Sequence, residues 1–168
     1  MREKLLTLIS QIEDANRRQA RLYERIDQSW RRYRATGDYS CVVETAFYLN
    51  QLYAGYERVF QSVAEVFGNA VDSGGWHRSL LERMRLSVKG LRPALVGDEG
   101  FRCLNELRAF RHFFRHAYDV DLEPDRVELV LKKAFRLREL WAQEGRSFVE
   151  FLHEMERASD DESEFDLG

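Results

Sequence analysis

The sequence predicts an all-α fold, an antiparallel bundle of about five helices. Apolar residues recur at intervals of three and four over long stretches, which is the period of an amphipathic helix. Only two prolines occur, Pro93 and Pro124, and no segment alternates with the period of two that marks a half-buried strand. At 168 residues the chain has room for one ordinary domain, which we place at residues 1–158.

The first two helices are predicted to form a hairpin. The first runs from Leu5 to about Arg34 and ends at Gly37 and Asp38, which favour a turn. The second begins near Tyr39, and we expect it to bury one apolar stripe. That stripe comprises Val43, Ala46, Leu49, Tyr53, Tyr56, Phe60, Val63 and Phe67.

Three more helices follow a Gly-rich loop at residues 68–75. The third is predicted over residues 76–88. The fourth is predicted over residues 101–118, after a break at residues 97–100. The fifth begins at Pro124, because proline suits the first turn of a helix, and it continues with a helical apolar period.

Acidic side chains are concentrated at the carboxyl end. The chain carries 26 Lys and Arg against 29 Asp and Glu, for a formal net charge of -3. Five of the acidic side chains lie in residues 159–168, which we predict to be an acidic, disordered tail. The remaining body is near neutral, which is compatible with a local basic patch.

The cysteines and the hydropathy pattern bear on location. Cys41 and Cys103 are isolated thiols without CxxC spacing, as is typical of a reducing compartment. The first residues form a charged amphipathic pattern unlike a signal peptide. No run approaches the roughly 18 apolar residues of a membrane span. We therefore expect a cytoplasmic protein without a membrane segment.

One motif in the fourth helix carries chemistry. Arg111 is followed by four residues and His116, and Tyr118 comes two places later. RNA can be cut without a metal when its own 2'-hydroxyl attacks the adjacent phosphate. That reaction needs a proton acceptor and donor that works near neutral pH, which suits His116, and a cation beside the phosphorane, which suits Arg111. Arg111 and His116 are the residue types that this reaction requires, and the family resemblance described next implies that they are the catalytic residues, with no cofactor and no metal.

The motif resembles that of HEPN-type ribonucleases, which share an Arg, a gap of four to six residues and a His. The HepT group adds a Tyr two places after the His, as Tyr118 stands here. The likeness extends over about residues 40–155, through a helical hairpin with an aromatic stripe, then the letters WHRSLL, a Pro and FRH. His112 stands where these proteins often place a polar residue.

The resemblance implies a ribonuclease toxin that acts on tRNA or mRNA as a homodimer with a composite cleft. It also implies an antitoxin, a nucleotidyltransferase that silences the toxin by attaching AMP to Tyr118. A negatively charged adenylate beside Arg111 would occupy the cation and repel the RNA backbone. Further contacts to RNA phosphates are expected from a small set of side chains on the same helix. This set comprises Arg102, Arg108, His112 and Arg115.

Helix geometry sets a condition on this hypothesis. Positions five apart on an ideal α-helix are rotated by about 140 degrees, so Arg111 and His116 do not share a face of a regular helix. Either the helix ends or deforms near His116, or a second chain completes the site.

Several alternatives stay open at this point. Arg111 and Arg115 are compatible with ordinary solvated charges, His116 with a helix cap and Tyr118 with a half-buried packing residue. His112 and His116 have the i, i+4 spacing of two metal ligands but lack a third ligand nearby.

Arg146 and His153 form a second Arg and His pair at a gap of six, but Met155 stands where the Tyr would be. In functional terms the alternatives are a non-catalytic binding subunit of a nucleotidyltransferase and a helical dimerisation scaffold.

Overall fold

The computed structural model describes residues 1–67, 76–116 and 121–165, with side chains for all of these except 76–78 and 160–165. The described residues form five helices and no strand, apart from an isolated bridge between Val88 and Arg92. The helices are α1 (Arg2–Thr36), α2 (Tyr39–Val66), α3 (Trp76–Met84), α4 (Asp98–His116) and α5 (Pro124–Phe165). The predicted all-α bundle is confirmed.

A two-residue turn reverses the chain between α1 and α2. Gly37 adopts a left-handed conformation with φ of 67°, and its N–H donates to the carbonyl of Tyr33 at 2.7 Å. Asp38 then caps α2, because its carboxylate accepts the N–H of Ser40 at 2.9 Å. The turn makes α1 and α2 antiparallel neighbours, as the sequence predicted.

The four long helices surround one apolar core. α1 packs on α2 and α5, and α4 packs on the other side of the same pair, against α5 and α2. Within the core the hydroxyl of Tyr23 donates to the carbonyl of Ala134 at 2.9 Å and lies 3.1 Å from the hydroxyl of Tyr56. These bonds satisfy the polar ends of two rings that are otherwise fully buried.

The predicted stripe of α2 is right except at its beginning. Val43 is exposed, and its neighbour Val42 is fully buried in its place. Adjacent helical residues differ by about 100° around the axis, so the two valines cannot both face the core. The apolar period alone did not distinguish them.

α3 ends at Met84, four residues before the predicted end. Arg92, a buried side chain in the following loop, donates to three backbone carbonyls there. These belong to Arg83, Leu86 and Pro93, at 2.8, 3.1 and 3.1 Å. Carbonyls near the end of α3 are therefore satisfied by a side chain rather than by more helix. Burial lowers the pKa of this Arg92 guanidinium from its ordinary value.

α4 begins at Asp98, inside the predicted break, because α5 supplies an acceptor for its first turn. The Glu144 carboxylate accepts the N–H of Gly97 at 3.0 Å. Gly97 and Gly100 leave room for this carboxylate, since a Cβ at either position would lie 2.8 Å from a Glu144 oxygen. The two glycines therefore allow α4 and α5 to approach each other closely, whereas the sequence had suggested that they interrupt the helix.

α5 begins at Pro124, as predicted, and continues to Phe165. The described helix includes part of residues 159–168, and the acidic, disordered tail proposed there stays a prediction. The hydroxyl of Ser159 donates to the carbonyl of Met155 at 2.9 Å, a bond that fits a continuing helix. Residues 166–168 lie outside the described residues.

We predict that the free energy of unfolding of Glu144→Gln decreases less than that of the wild type as the pH rises. Burial raises the pKa of the Glu144 carboxyl above 4.5, with the Gly97 N–H opposing and Glu99 adding to the rise. The folded state therefore holds the proton to a higher pH than the unfolded chain. Stability falls as the pH rises through the window just above 4.5. The side-chain amide of Gln keeps an oxygen that can accept the Gly97 N–H, but it does not bind or release a proton in this pH range.

The measurement is urea unfolding at several pH values from about 4.5 to about 7. Glu154→Gln, an exposed position on the same helix, is the matched control. Equal pH dependence in Glu144→Gln and the wild type would show that this carboxyl does not titrate with folding.

Candidate functional site

Arg111 lies in the crevice between α4 and α2. Its guanidinium carbon is 6.0 Å from the centre of the Tyr53 ring, and its Nη1 is 3.8 Å from a carboxylate oxygen of Glu57. The side chain of Arg111 is 19% exposed and that of Glu57 is 7% exposed. The cation is therefore largely buried against α2, while part of its fork reaches solvent.

The crevice holds unused hydrogen-bonding capacity. Nη1 of Arg111 is buried and has no hydrogen-bond partner among the described residues. Buried donors are usually paired, so this atom marks a place where an added acceptor is favourable. Burial raises the pKa of the Tyr53 hydroxyl, and Glu57 adds to the rise, so Tyr53 stays a neutral ring beside the guanidinium.

His116 is the last residue of α4 and is exposed to solvent. Its Nδ1 lies 2.8 Å from the carbonyl oxygen of His112, one turn earlier. A carbonyl can only accept, so Nδ1 carries the hydrogen and donates it. In the neutral ring Nε2 is then the free acceptor. The same bond satisfies a last-turn carbonyl, as the capping alternative expects.

Within one chain the two predicted catalytic side chains point in different directions. α4 is uninterrupted from Asp98 to His116, so Arg111 and His116 keep the rotation of about 140 degrees expected of a regular helix. Arg111 contacts α2, whereas the ring of His116 packs against that of His112 with centroids 4.4 Å apart. The described part of α4 extends to His116 and does not bring the two groups together.

The other predicted residues of α4 are not confined to one side of the helix. Arg108, Arg111 and Arg115 recur at intervals of three and four and form a row, and His112 lies within one turn of Arg108 and Arg115. Arg108 is half-buried and donates twice to the side-chain oxygen of Asn105, at 3.1 and 3.0 Å, and Arg115 is exposed.

Arg102 and His112 are exposed on the side that carries His116. Tyr118, the predicted modification site, lies outside the described residues.

Sequence reasoning missed the contribution of α2 to this crevice. Tyr53 was predicted as part of the core stripe, and Glu57 was not singled out at all. A carboxylate four residues after Tyr53, between buried positions of one stripe, could have indicated a buried partner for a cation. The partner itself could not be identified, because Glu57 and Arg111 are far apart in the chain.

A family model described as HepT-like protein matches residues 44–153. This chain belongs to the HepT-like family. The match identifies it as a HepT-like protein of the HEPN superfamily, and it includes all of the described α4 and α2 from residue 44 onwards. No curated protein and no solved structure matches the chain.

The second Arg and His pair of this HepT-like protein has a different environment. Arg146 lines a cavity between α1 and α5 together with Arg138. His153 is exposed on α5 in a shallow depression that also contains three carboxylates, those of Glu150, Glu154 and Glu156. Because carboxylates repel phosphate, the surroundings of His153 do not favour RNA.

Two further structural findings concern metals and membranes. No third His, Cys, Asp or Glu joins His112 and His116 in a metal-binding group within the part of the chain that the structure describes. Among the described helices, none combines the length and the apolar character that crossing a bilayer requires.

We predict that Arg111→Ala lowers the free energy of unfolding by about 1 to 3 kcal/mol, because it removes the cation beside the buried Glu57 carboxylate. His116→Ala is expected to change it by less than about 0.5 kcal/mol, since the side chain is exposed. Urea unfolding of the two variants measures the difference.

Arg111→Lys is the matched control, because it keeps a cation in the crevice without the planar fork. If Arg111→Ala is as stable as His116→Ala, the contact between α2 and α4 at this residue contributes nothing to folding. If Arg111→Ala is destabilised as predicted, His116→Ala is the cleaner variant for a functional test.

Proposed function

We propose that this HepT-like protein is the toxin of a toxin–antitoxin pair, a metal-independent endoribonuclease that cleaves tRNA or mRNA in the cytoplasm. One observation carries the proposal: an exposed imidazole, with Nδ1 tied to a backbone carbonyl, stands at the end of a helix that also carries a row of arginines. A proton acceptor and phosphate-binding cations are the groups that RNA cleavage needs.

The proposed reaction is an internal transfer within the RNA. Nε2 of His116 accepts the proton of a 2'-hydroxyl, whose oxygen attacks the adjacent phosphorus. The bond from phosphorus to the 5'-oxygen breaks, and the imidazolium returns a proton to that oxygen. The products end in a 2',3'-cyclic phosphate and a 5'-hydroxyl. Arginine side chains stabilise the charge that builds up on the phosphorane oxygens.

The active unit is proposed to be a homodimer with a composite site. In one chain the Arg111 guanidinium is turned towards α2, and His116 is exposed on another side of α4. A phosphate bound by Arg111 would therefore meet His116 of the partner subunit more readily than the imidazole of the same chain. The regular course of α4 through both positions supports a site completed by a second chain.

Control by AMP transfer to Tyr118 is part of the proposal. Tyr118 follows His116 by two positions, so an adenylate there would place negative charge beside the proposed phosphate site. The expected antitoxin is a nucleotidyltransferase. Intact mass spectrometry of the chain co-expressed with such an enzyme would detect the adduct, and fragmentation would locate it.

We expect the purified chain to cleave single-stranded RNA in the presence of a chelator and to leave 2',3'-cyclic phosphate ends. His116→Ala should lower the cleavage rate by about a hundredfold to ten-thousandfold, because it removes the proton acceptor. His153→Ala, another exposed imidazole, is the matched control and should leave the rate unchanged. The readout is gel analysis of labelled RNA, with a 2'-deoxy substrate that should resist cleavage.

Mixed dimers test the composite site in the same assay. A dimer of Arg111→Lys and His116→Ala chains has one site with both defects and one with neither. Random subunit exchange in an equal mixture makes about half of the dimers mixed, so mixing should restore about a quarter of the wild-type rate. No restoration would place both groups in one chain. RNA binding without cleavage by the wild type would instead favour a non-catalytic binding subunit.

A further inference from the structure

A second surface with features of a ligand-binding site lies on the opposite side of α2 from Arg111. It is a groove of about 670 Å³ between α1 and α2. Tyr53 and Glu57 of α2 face Arg111, whereas Gln51, Gly55 and Arg58 line the groove. We call this surface the α1/α2 groove.

Four arginines give the α1/α2 groove a strong positive charge. They are Arg18, Arg21 and Arg25 of α1, which recur at helical spacing, and Arg58 of α2. Asp14 is the single carboxylate among the lining residues, and it pairs with Arg18 at 2.7 Å. Arg21 and Arg58 are exposed and form no ion pair with any described residue. Their charge is available to an anion.

An aromatic platform stands at one side of the α1/α2 groove. Phe47 is 47% exposed, and its ring meets that of Tyr48 edge to face with centroids 5.7 Å apart. The guanidinium of Arg25 lies over the other ring, 5.7 Å from the centre of Tyr48. A large exposed aromatic ring beside arginines is the arrangement that stacks a nucleic-acid base next to a bound phosphate.

The groove also contains an unsatisfied amide. Gln19 is 3% exposed, and its buried side-chain nitrogen has no hydrogen-bond partner among the described residues. This nitrogen would lie 3.8 Å from a Cβ at Gly55, a residue that also lines the groove. A buried donor without a partner in a basic groove indicates a place for an acceptor, such as a phosphate oxygen or a base carbonyl.

We propose that the α1/α2 groove binds single-stranded RNA, with phosphates at Arg21 and Arg58 and a base stacked on Phe47. The choice of RNA rests on the proposed function, and the groove would hold a segment flanking the cleaved phosphate rather than that phosphate itself. RNA uses both the cations and the exposed ring. An acidic peptide would use the arginines alone.

The experiment measures RNA binding in a His116→Ala background, which does not cut the RNA. A fluorescein-labelled single-stranded RNA is titrated with protein, and anisotropy is recorded over a range of salt concentrations. Arg21→Glu combined with Arg58→Glu should weaken binding at least about tenfold at low salt. It should also reduce the slope of log affinity against log salt by about 0.7 for each lost phosphate contact.

Two comparisons separate these arginines from net charge. Lys89→Glu combined with Arg157→Glu makes the same change in net charge at exposed positions outside the groove and should leave binding close to that of the parent. Phe47→Ala should weaken binding at least about fivefold with little change in the salt slope, because stacking is not ionic.

Three results would overturn the proposal. The first is equal RNA affinity for the groove pair and the control pair. The second is a change of oligomeric state in the groove variants by analytical ultracentrifugation, which would make the groove an interface between copies. The third is poly-glutamate binding that depends on Arg21 and Arg58, together with an unchanged RNA affinity in Phe47→Ala. That result would favour an acidic protein partner.

The cleavage assay on the wild type, run beside these binding titrations, distinguishes the groove from the nuclease. Wild-type protein that binds RNA through Arg21 and Arg58 but never cleaves it would disprove the nuclease and leave the groove. If the wild type cleaves RNA and the groove variants bind RNA normally, the nuclease is supported and the groove proposal is disproved.

Discussion

The fixed pitch of the α-helix is the constraint on which this structure depends. Each residue turns by about 100° around the axis, so a side chain's direction follows from its position in the helix. On α4 this pitch buries Leu104, Leu107 and Phe110 and sends Arg111 to the border with α2. Five residues later, the same rotation places His116 on another side of α4. The same rule that builds the core therefore keeps the two motif residues apart.

α2 is the helix around which the functional surfaces are arranged. It packs on all four other helices, and its buried stripe includes the fully enclosed rings of Tyr53, Tyr56 and Phe60. On one side of that stripe Glu57 meets the Arg111 guanidinium. On the other side Arg58, the next residue, lines a basic groove. A single helix thus separates a crevice with a buried ion pair from a groove in which Arg21 and Arg58 form no ion pair with any described residue.

Polar groups determine where several helices begin and end. Arg92 satisfies carbonyls after α3, and Glu144 accepts a backbone N–H at the start of α4. Arg92 acts from the loop after α3, and Glu144 acts from α5. Each supplies a hydrogen bond to a backbone group near a helix end. Local propensity cannot include such distant partners. The predicted bounds of α3 and α4 therefore differed from the observed ones, while the Gly37 and Asp38 turn was predicted correctly.

The sequence by itself determined the all-α class, the helices that the structure describes, the turn between α1 and α2, and membership of the HepT-like family, whose model matches residues 44–153. These properties are periodic or local, so they can be read along the chain. Only the tertiary structure decided that Glu57 is the partner of Arg111 and that arginines from α1 and α2 line one groove. Contacts between distant residues depend on how helices pack, and packing leaves no periodic trace in the sequence.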